Sequence, residues 1–348
     1  MVSDRRDAHD LDARRIDDWL QARLQGLRGP LRIERIGGGQ SNPTYFLTYD
    51  TRRLVLRRRP DGDILPSAHA VDREYRVQAA LASTPVKVPQ VLLYEDDPGI
   101  VGSAFYLMER VEGRVFHDNT LRALPPADRR PVYADMAAML AEIHRVDTAA
   151  VGLSDFGRQG GYFARQLSRW TRQWHLSSTR RLDAIDRLVA WLPANMPDDD
   201  TTTLVHGDFR TGNMILHPTE PRIAAVLDWE LSTLGNPLAD LAHSCVYIWM
   251  MNADEFGVGL RDVDLAAEGL PTMQDFIADY ACAAGRDAQL TRWHLAFALF
   301  RNAVIFEGIA DRARRGNAAS GNADEVGRIA PALAERGAAL IDGTGLPG

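Results

Sequence analysis

Lysine is almost missing from this 348-residue chain: of 40 basic residues, all are arginine except Lys87. Any step that commonly relies on a lysine ammonium must therefore be carried by a guanidinium, which is planar, permanently charged and forked. Cysteine is scarce as well. Cys245 and Cys282 both sit among apolar or small residues, so neither a disulfide framework nor a thiolate metal site is expected. Long apolar runs are absent, and the strongest, Cys245 to Met251, is far too short to span a bilayer. The N-terminus is charged and has no apolar segment of the secretory kind. A net charge of −7 argues against a general nucleic-acid or anionic-membrane surface. These absences lead to the expectation of a cytoplasmic protein with no nucleic-acid or membrane partner. The 45% hydrophobic and 25% charged residues are those of an ordinary globular chain.

What is present changes character along the chain. Asp10 to Leu27 has Ile16, Leu20, Leu24 and Leu27 at helical spacing behind an acidic start. Short strands are then predicted at Leu31 to Ile36, Thr44 to Tyr49 and Arg53 to Arg58. A helix follows over His69 to Ala82, then two strands within PQVLLYED and SAFYLMERV, joined by a Pro-Gly turn near Pro98. From Gly113 the pattern is mostly helical, interrupted by one hairpin within NMILHPTEPRIAAVLDW. The fold class expected is α+β and two-lobed: a small N-terminal antiparallel sheet lobe over residues 1–110, then a larger helical lobe over 111–348. A ligand is expected in the crevice between such lobes.

The chemistry concentrates in LVHGDFRTGN, Leu204 to Asn213. An Asp and an Asn five positions apart can be aimed at one point if a tight turn separates them, and Thr211–Gly212 offers one. The hairpin then delivers Asp228 at the end of a returning strand. Asp208, Asn213 and Asp228 together supply one acceptor able to orient a hydroxyl and two oxygen ligands for a hard cation. Mg²⁺ keeps waters and substrate phosphates in its shell, so two protein ligands suffice. This is equipment for phosphoryl transfer from Mg-ATP, in which positioning and charge neutralisation do most of the work.

The series GGQSNPTY, VLRRRP, REYRV, MERVEGR, RQLSRW, HGDFRTGN and DWELSTLGNPLADLA, in this order, resembles the aminoglycoside phosphotransferase and choline kinase group, relatives of the protein kinases. It is most similar to the kinase-like region of large acyl-CoA dehydrogenases and their free-standing bacterial relatives. The resemblance covers nearly the whole chain and implies an ATP- and Mg²⁺-dependent kinase with a small-molecule alcohol as acceptor. It implies that Asp208 is the catalytic Asp at the acceptor hydroxyl and that Asn213 and Asp228 are the metal ligands. Arg210 stands where many kinases place a Lys on the transferring phosphate. The segment Gly37 to Asn42, with Gly38, Gly39, Gln40, Ser41 and Asn42, resembles the loop that covers the phosphates. Arg57 takes the place of the strand Lys, with Glu74 as its helix partner, and the backbone around Glu109 to Val111 is expected to meet adenine. His206 and Asp240 are expected to be structural, Asp240 bonding the catalytic loop or capping a helix. The family more often has Asp where this chain has Asn236. A DFG triplet at Asp155 to Gly157 precedes the catalytic loop, the wrong order for a metal loop, and is set aside.

For the acceptor, Asp155 to Arg187 carries seven Arg against three Asp and no Glu, with Arg165 and Arg169 on one helical stripe and Trp170 and Trp174 on the next. These four are the candidate acceptor-binding residues, and a wall of this charge suits a neutral or anionic alcohol of the hydroxy-acid or hydroxyacyl-CoA type. An amphipathic helix with an aromatic core face and solvated charges explains the same pattern. Two other functions stay open: an aminoglycoside or other antibiotic kinase, which would need an acidic cleft, and a nucleotide-binding pseudokinase, suggested by the missing lysine.

Overall fold

The computed structural model describes residues 11–37, 42–60, 70–177, 180–253, 258–314 and 323–344. Among these, the residues up to Gly113 group with Ala224–Glu230 in one compact unit, and Arg114–Ile223 group with the residues from Leu231 in a second.

The first unit is built on a five-stranded antiparallel sheet in the order β1-β2-β3-β5-β4. Its strands are β1 (Arg32–Arg35), β2 (Thr44–Thr48), β3 (Arg53–Arg58), β4 (Val91–Glu95) and β5 (Phe105–Glu109). β3 is central, with Arg57 opposite Thr44 of β2 and Tyr106 of β5. The alternation along RLVLRR sends Leu54 and Leu56 to one face and Val55 and Arg57 to the other, because successive side chains of a strand point to opposite sides. On the first face Leu54 and Leu56 join Leu47, Leu107, Phe105 and the α1 (Ala13–Gln21) residues Ile16, Trp19 and Leu20 in one core. On the second, Val55 packs with Met108, Tyr106 and Val71, the first residue of α2 (Val71–Leu81).

Two elements depart from their sequence signals. α1 opens on Asp12, whose carboxylate accepts from the Arg14 and Arg15 amides at 3.1 and 3.2 Å. It stops at Gln21, short of the Leu27 that the periodicity suggested. Gly26 and Gly29 adopt φ of +80° and +83°, so the chain turns, and Leu24 and Leu27 reach the core from non-helical backbone. The Pro-Gly turn is one turn of helix, α3 (Pro98–Val101), capped by Asp97 and closed by Gly102 at φ +90°.

The second unit is mainly helical. α4 (Pro126–Arg145) packs on α9 (Met273–Ala284), and α10 (Arg292–Arg314) packs on α5 (Tyr162–Ser177), α6 (Asp183–Ala194), α7 (Pro237–Cys245) and α11 (Ala323–Ile341); α8 (Leu265–Glu268) is a single turn. Trp249 joins the α4 and α9 faces, its ring 5.6 Å from Tyr133 and 5.1 Å from Phe276. Its indole N–H donates to the Pro271 carbonyl at 2.9 Å, so this large core side chain leaves no polar atom unmatched. Two strands frame the catalytic stretch. β6 (Thr203–Val205) runs into His206, and β9 (Thr233–Gly235), paired antiparallel with it, runs into α7. The expected hairpin is present, β7 (Met214–Leu216) turning into β8 (Ile223–Val226), with the His217 amide donating to the Arg222 carbonyl at 2.8 Å. α7 continues without a break into one π-helical segment, Val246–Met250. No helix among the described residues is long and apolar enough to cross a membrane.

Leu107, fully buried in the central core of the sheet, is the side chain whose loss should be felt most in the first unit. Leu107→Ala is expected to destabilise the protein by about 2–5 kcal/mol, read as a lower urea midpoint with the slope retained.

Candidate active site

The catalytic stretch owes its shape to one buried carboxylate. Asp240, one turn into α7, accepts from the backbone amides of His206 at 2.5 Å and Gly207 at 2.8 Å. Burial alone would raise its pKa, but the His144 side chain, the nearby His206 and these amides hold it below the usual range. His144 lies 3.4 Å from Asp240 through Nε2 and 2.8 Å from the Tyr280 hydroxyl through Nδ1. Gly207 is held at φ +88°, where a Cβ would meet the Leu231 carbonyl oxygen at 2.7 Å, so the position demands glycine on both counts. His206 is fully buried, and its Nδ1 receives the Asp208 amide at 3.2 Å.

Asp208 follows directly, and three donors converge on its carboxylate. His243 Nε2 lies 2.9 Å from Oδ1, while Arg210 Nε at 3.1 Å and Asn213 Nδ2 at 2.8 Å donate to Oδ2. Burial pushes this carboxyl up, yet the His243 bond and the Arg210 guanidinium hold it well below the ordinary value. The turn between Asp and Asn is a 3₁₀ turn, Thr211–Asn213, pinned by the Thr211 hydroxyl on the Asn119 amide oxygen at 2.6 Å. Asn213 also donates to the Asp208 carbonyl at 2.9 Å. Its amide nitrogen is thereby committed to Asp208, which turns the amide oxygen, the atom a cation needs, away from that bond.

In the first unit Arg57 is the hub. Its Nε lies 2.9 Å from Glu74 Oε2 and its Nη2 donates to Asp228 Oδ1 at 2.7 Å; Glu230 is 3.9 Å away. Burial disfavours the charge, but Glu74 and the other carboxylates outweigh it, and Arg57 stays a cation. Glu74 is fully buried, and burial lifts its pKa despite Arg57 beside it, with the Tyr106 hydroxyl working the other way. Asp228 sits at φ +65°, a left-handed conformation that Asp tolerates better than most residues, as expected where backbone is bent to aim a side chain. Its Oδ1 is taken by Arg57, and its Oδ2 has no bonded partner among the described residues. By donor chemistry alone, an amide oxygen in the second unit and a carboxylate oxygen in the first are each of the kind that a hard cation takes. Gly38, Gly39, Gln40 and Ser41 lie outside the described residues.

The other expected contacts divide. Glu109 is paired with Arg52, Nε to Oε1 at 2.9 Å, and the amides of Glu109 and Arg110 bond the Gln90 and Arg53 carbonyls. On α5, Trp174 is a core side chain, and Arg165 is spent on the carbonyls of Gly160 and Arg158. Arg165 thus has its guanidinium committed to backbone, and Trp174 lies in the core, unlike the open wall that the helical stripes suggested. Arg169 and Trp170 remain, the guanidinium 5.0 Å from the indole. A residue no motif announced joins them: Arg301 of α10 lies 6.0 Å from the same ring and donates to the Gly207 carbonyl at 2.9 Å, tying this wall to the catalytic stretch. The rejected DFG triplet is structural: a Cβ on Gly157 would meet the Leu234 amide of β9 at 2.6 Å.

A five-stranded sheet unit with an Arg–Glu pair, and a helical unit with a D-x-x-x-x-N loop, are the parts of a kinase-like fold. The chain belongs to the phosphotransferase enzyme family, whose model matches residues 32–285. It is 41% identical to acyl-CoA dehydrogenase family member 10 of Mus musculus over 91% of this chain and 30% of that protein. Identity to family member 11 of Homo sapiens is 37%, over 95% of this chain and 43% of that protein. The chain thus spans less than half the length of these relatives. A solved candidate aminoglycoside phosphotransferase from Ralstonia eutropha is 40% identical, with a TM-score of 0.86 over 95% of this chain and 98% of its own. Aminoglycoside phosphotransferase APH(4)-Ia, solved with AMP-PNP and hygromycin B, shares the fold at a TM-score of 0.61 and 15% identity, over 94% of this chain and 99% of its own.

Asn236 shows how one departure from the family is compensated. Its amide oxygen caps α7 by accepting from the Leu238 amide at 2.9 Å, and its nitrogen donates to Asp199 Oδ2 at 2.8 Å. Asn236→Asp keeps the cap but sets two carboxylates against each other. A loss of about 1–3 kcal/mol is expected at neutral pH, shrinking as the pH falls and one of the pair takes a proton; thermal melts across that range check the sign.

Proposed function

We propose that the protein moves the γ-phosphoryl group of ATP to the hydroxyl of a small neutral or anionic molecule. The observation that carries this reading is the Asp208 carboxylate with its three donors. Oδ2 already takes two hydrogen bonds and Oδ1 takes one, so Oδ1 keeps an acceptor site for an incoming hydroxyl. A carboxylate held so acidic is a weak base. Its work is to aim the hydroxyl oxygen at phosphorus and to receive the proton late, once the new O–P bond has made that hydroxyl acidic. The acceptor-oxygen-to-phosphorus bond forms, the bond from phosphorus to the bridging oxygen breaks, ADP leaves, and the proton passes from Asp208 to solvent.

Asn213 and Asp228 would hold Mg²⁺, which supplies charge neutralisation at the phosphates. Arg57, fixed by Glu74, would contact the phosphates with the Gly37 to Asn42 loop, and Arg210 would face the transferring group. The AMP-PNP in the APH(4)-Ia complex supports nucleotide use by this fold. For the acceptor, Arg169 and Arg301 flank Trp170 and neither has an ion-pair partner among the described residues, so the charge offered is positive. That favours a hydroxy acid or hydroxyacyl thioester over a polycationic aminoglycoside. It also agrees with the relatives, which are named as acyl-CoA dehydrogenase family members. Retention of Asp208, Asn213 and Asp228 together speaks against the pseudokinase.

ADP release from Mg-ATP over hydroxy acids, hydroxyacyl-CoAs and aminoglycosides tests the proposal. Turnover is expected with an anionic class and is expected to fall at least about a hundredfold in Asp208→Asn. Turnover confined to aminoglycosides would overturn the acceptor assignment, and undiminished turnover in the variant would overturn the role of Asp208. Arg57→Lys separates charge from fork: because the arginine spans Glu74 and Asp228 at once, the lysine variant is expected to lose about tenfold in kcat/KM for Mg-ATP.

A further inference from the structure

His243 lies 35 residues beyond Asp208, on the last turn of α7, and nothing in the motif series points to it. Its side chain is more than nine-tenths buried, and its Nε2 sits 2.9 Å from Asp208 Oδ1. A carboxylate oxygen is an acceptor only, so this nitrogen must carry a hydrogen. The other ring nitrogen, Nδ1, is buried and has no hydrogen-bond partner among the described residues. A proton there would be an unmatched buried donor, and on an imidazolium an unmatched charged one, which is costlier still. The hydrogen-bond pattern therefore assigns the neutral tautomer with hydrogen on Nε2.

The ring is also clamped from its other side. Tyr247, in the π-helical segment one turn on, stacks on His243 with centroids 6.2 Å apart and planes at 27°. The Tyr247 hydroxyl receives Arg210 Nη1 at 3.4 Å, and the Arg210 guanidinium lies 5.2 Å from the Tyr247 ring. Arg210 in turn donates to Asp208 Oδ2. Asp208, His243, Tyr247 and Arg210 thus close a ring of contacts within one unit. π-helical insertions recur where a helix must present side chains to a functional centre, and this one presents Tyr247.

We propose that His243 is a positioning residue for phosphoryl transfer: as the neutral Nε2–H tautomer it fixes Oδ1 of Asp208, and through Tyr247 it holds Arg210 in the same array. The inference rests on reading Asp208 as the group that receives the acceptor hydroxyl. Arg210 and Asn213 fill Oδ2, so Oδ1 is the oxygen that must meet the hydroxyl, and His243 occupies its other acceptor site. With that donor in place the remaining site on Oδ1 has one direction. Without it the carboxylate rocks about its bonds to Oδ2, and the hydroxyl is aimed less well, a defect in kcat and not in nucleotide binding.

Two variants and one spectrum test this. His243→Phe keeps a ring against Tyr247 but has no donor; His243→Gln restores an N–H near the Nε2 position. Turnover is followed as ADP release from Mg-ATP, with the acceptor that proves active and with water as the basal acceptor. The Phe variant is expected to lose about 10–100-fold in kcat, with KM for Mg-ATP within about twofold of the parent, and the Gln variant to recover most of that loss. A purely structural histidine would lower the melting temperature of both variants and leave kcat per folded molecule unchanged. That result, or a folded Phe variant with parental kcat, overturns the proposal. In the nitrogen-15 spectrum of histidine-labelled protein at neutral pH, His243 is expected as the Nε2–H tautomer, with its proton signal shifted in Asp208→Asn. An Nδ1–H or doubly protonated ring overturns the assignment. Should the parent turn over no acceptor at all, the kinase reading is what fails, and the spectrum still decides the Asp208–His243 bond.

Discussion

The stretch from His206 to Asn213 depends on one buried carboxylate. Asp240 sits buried at the start of α7 and receives the amides of His206 and Gly207. A buried carboxylate without donors would carry a heavy desolvation penalty, so the loop and the carboxylate hold each other in place. Everything downstream inherits that geometry. Gly207 is bent into a conformation other residues avoid, Asp208 emerges beside α7, and the same helix that supplies Asp240 supplies His243 one turn later. The Ser244 hydroxyl of that helix donates to the Phe209 carbonyl at 2.8 Å, a further tie between helix and loop. One helix therefore sets both the backbone path and the orientation of the carboxylate at its centre.

In the first unit the corresponding constraint is the near-absence of lysine. An ammonium would make a point contact with Glu74, whereas the Arg57 guanidinium reaches Glu74 through Nε and Asp228 through Nη2. The fork makes Arg57 a bridge between helix α2 and the end of β8. That bridge is assembled from strand alternation, since β3 must put Arg57 on the face opposite Leu54 and Leu56 for the pair to form at all. The departure from lysine is thus built into the packing of the sheet.

Much of this was legible in the sequence, for physical reasons that can be named. Strand alternation and turn residues announce the five-stranded unit because burial on two faces imposes them. The D-x-x-x-x-N spacing announces the loop because a short turn brings those two side chains together. The end of α1 was not legible, since Leu24 and Leu27 keep a helical spacing while packing from turns opened by Gly26 and Gly29. Spacing also did not foresee the settings of Arg165 and Trp174, because periodicity assigns a face and says nothing of what a guanidinium bonds or how deep an indole lies. His243, Tyr247 and Arg301 went unseen for a different reason. Each reaches the stretch from a helix distant in sequence, through one or two hydrogen bonds or ring contacts, and such contacts leave no periodic trace. Asn236 stood out as a missing charge, and only its bond to Asp199 explains it.

In the proposed reaction Asp208 would aim the acceptor and Asp228 would hold the metal that comes with the nucleotide. Calorimetric titration of ATP in the presence and absence of Mg²⁺ tests that division directly, with no acceptor needed. Asp208→Asn is expected to bind Mg-ATP within about threefold of the parent, while Asp228→Ala is expected to weaken Mg-ATP binding by at least about tenfold and to leave metal-free ATP binding little changed. Equal loss in both variants, or Mg-ATP binding untouched by Asp228→Ala, would contradict the division and with it the proposed site.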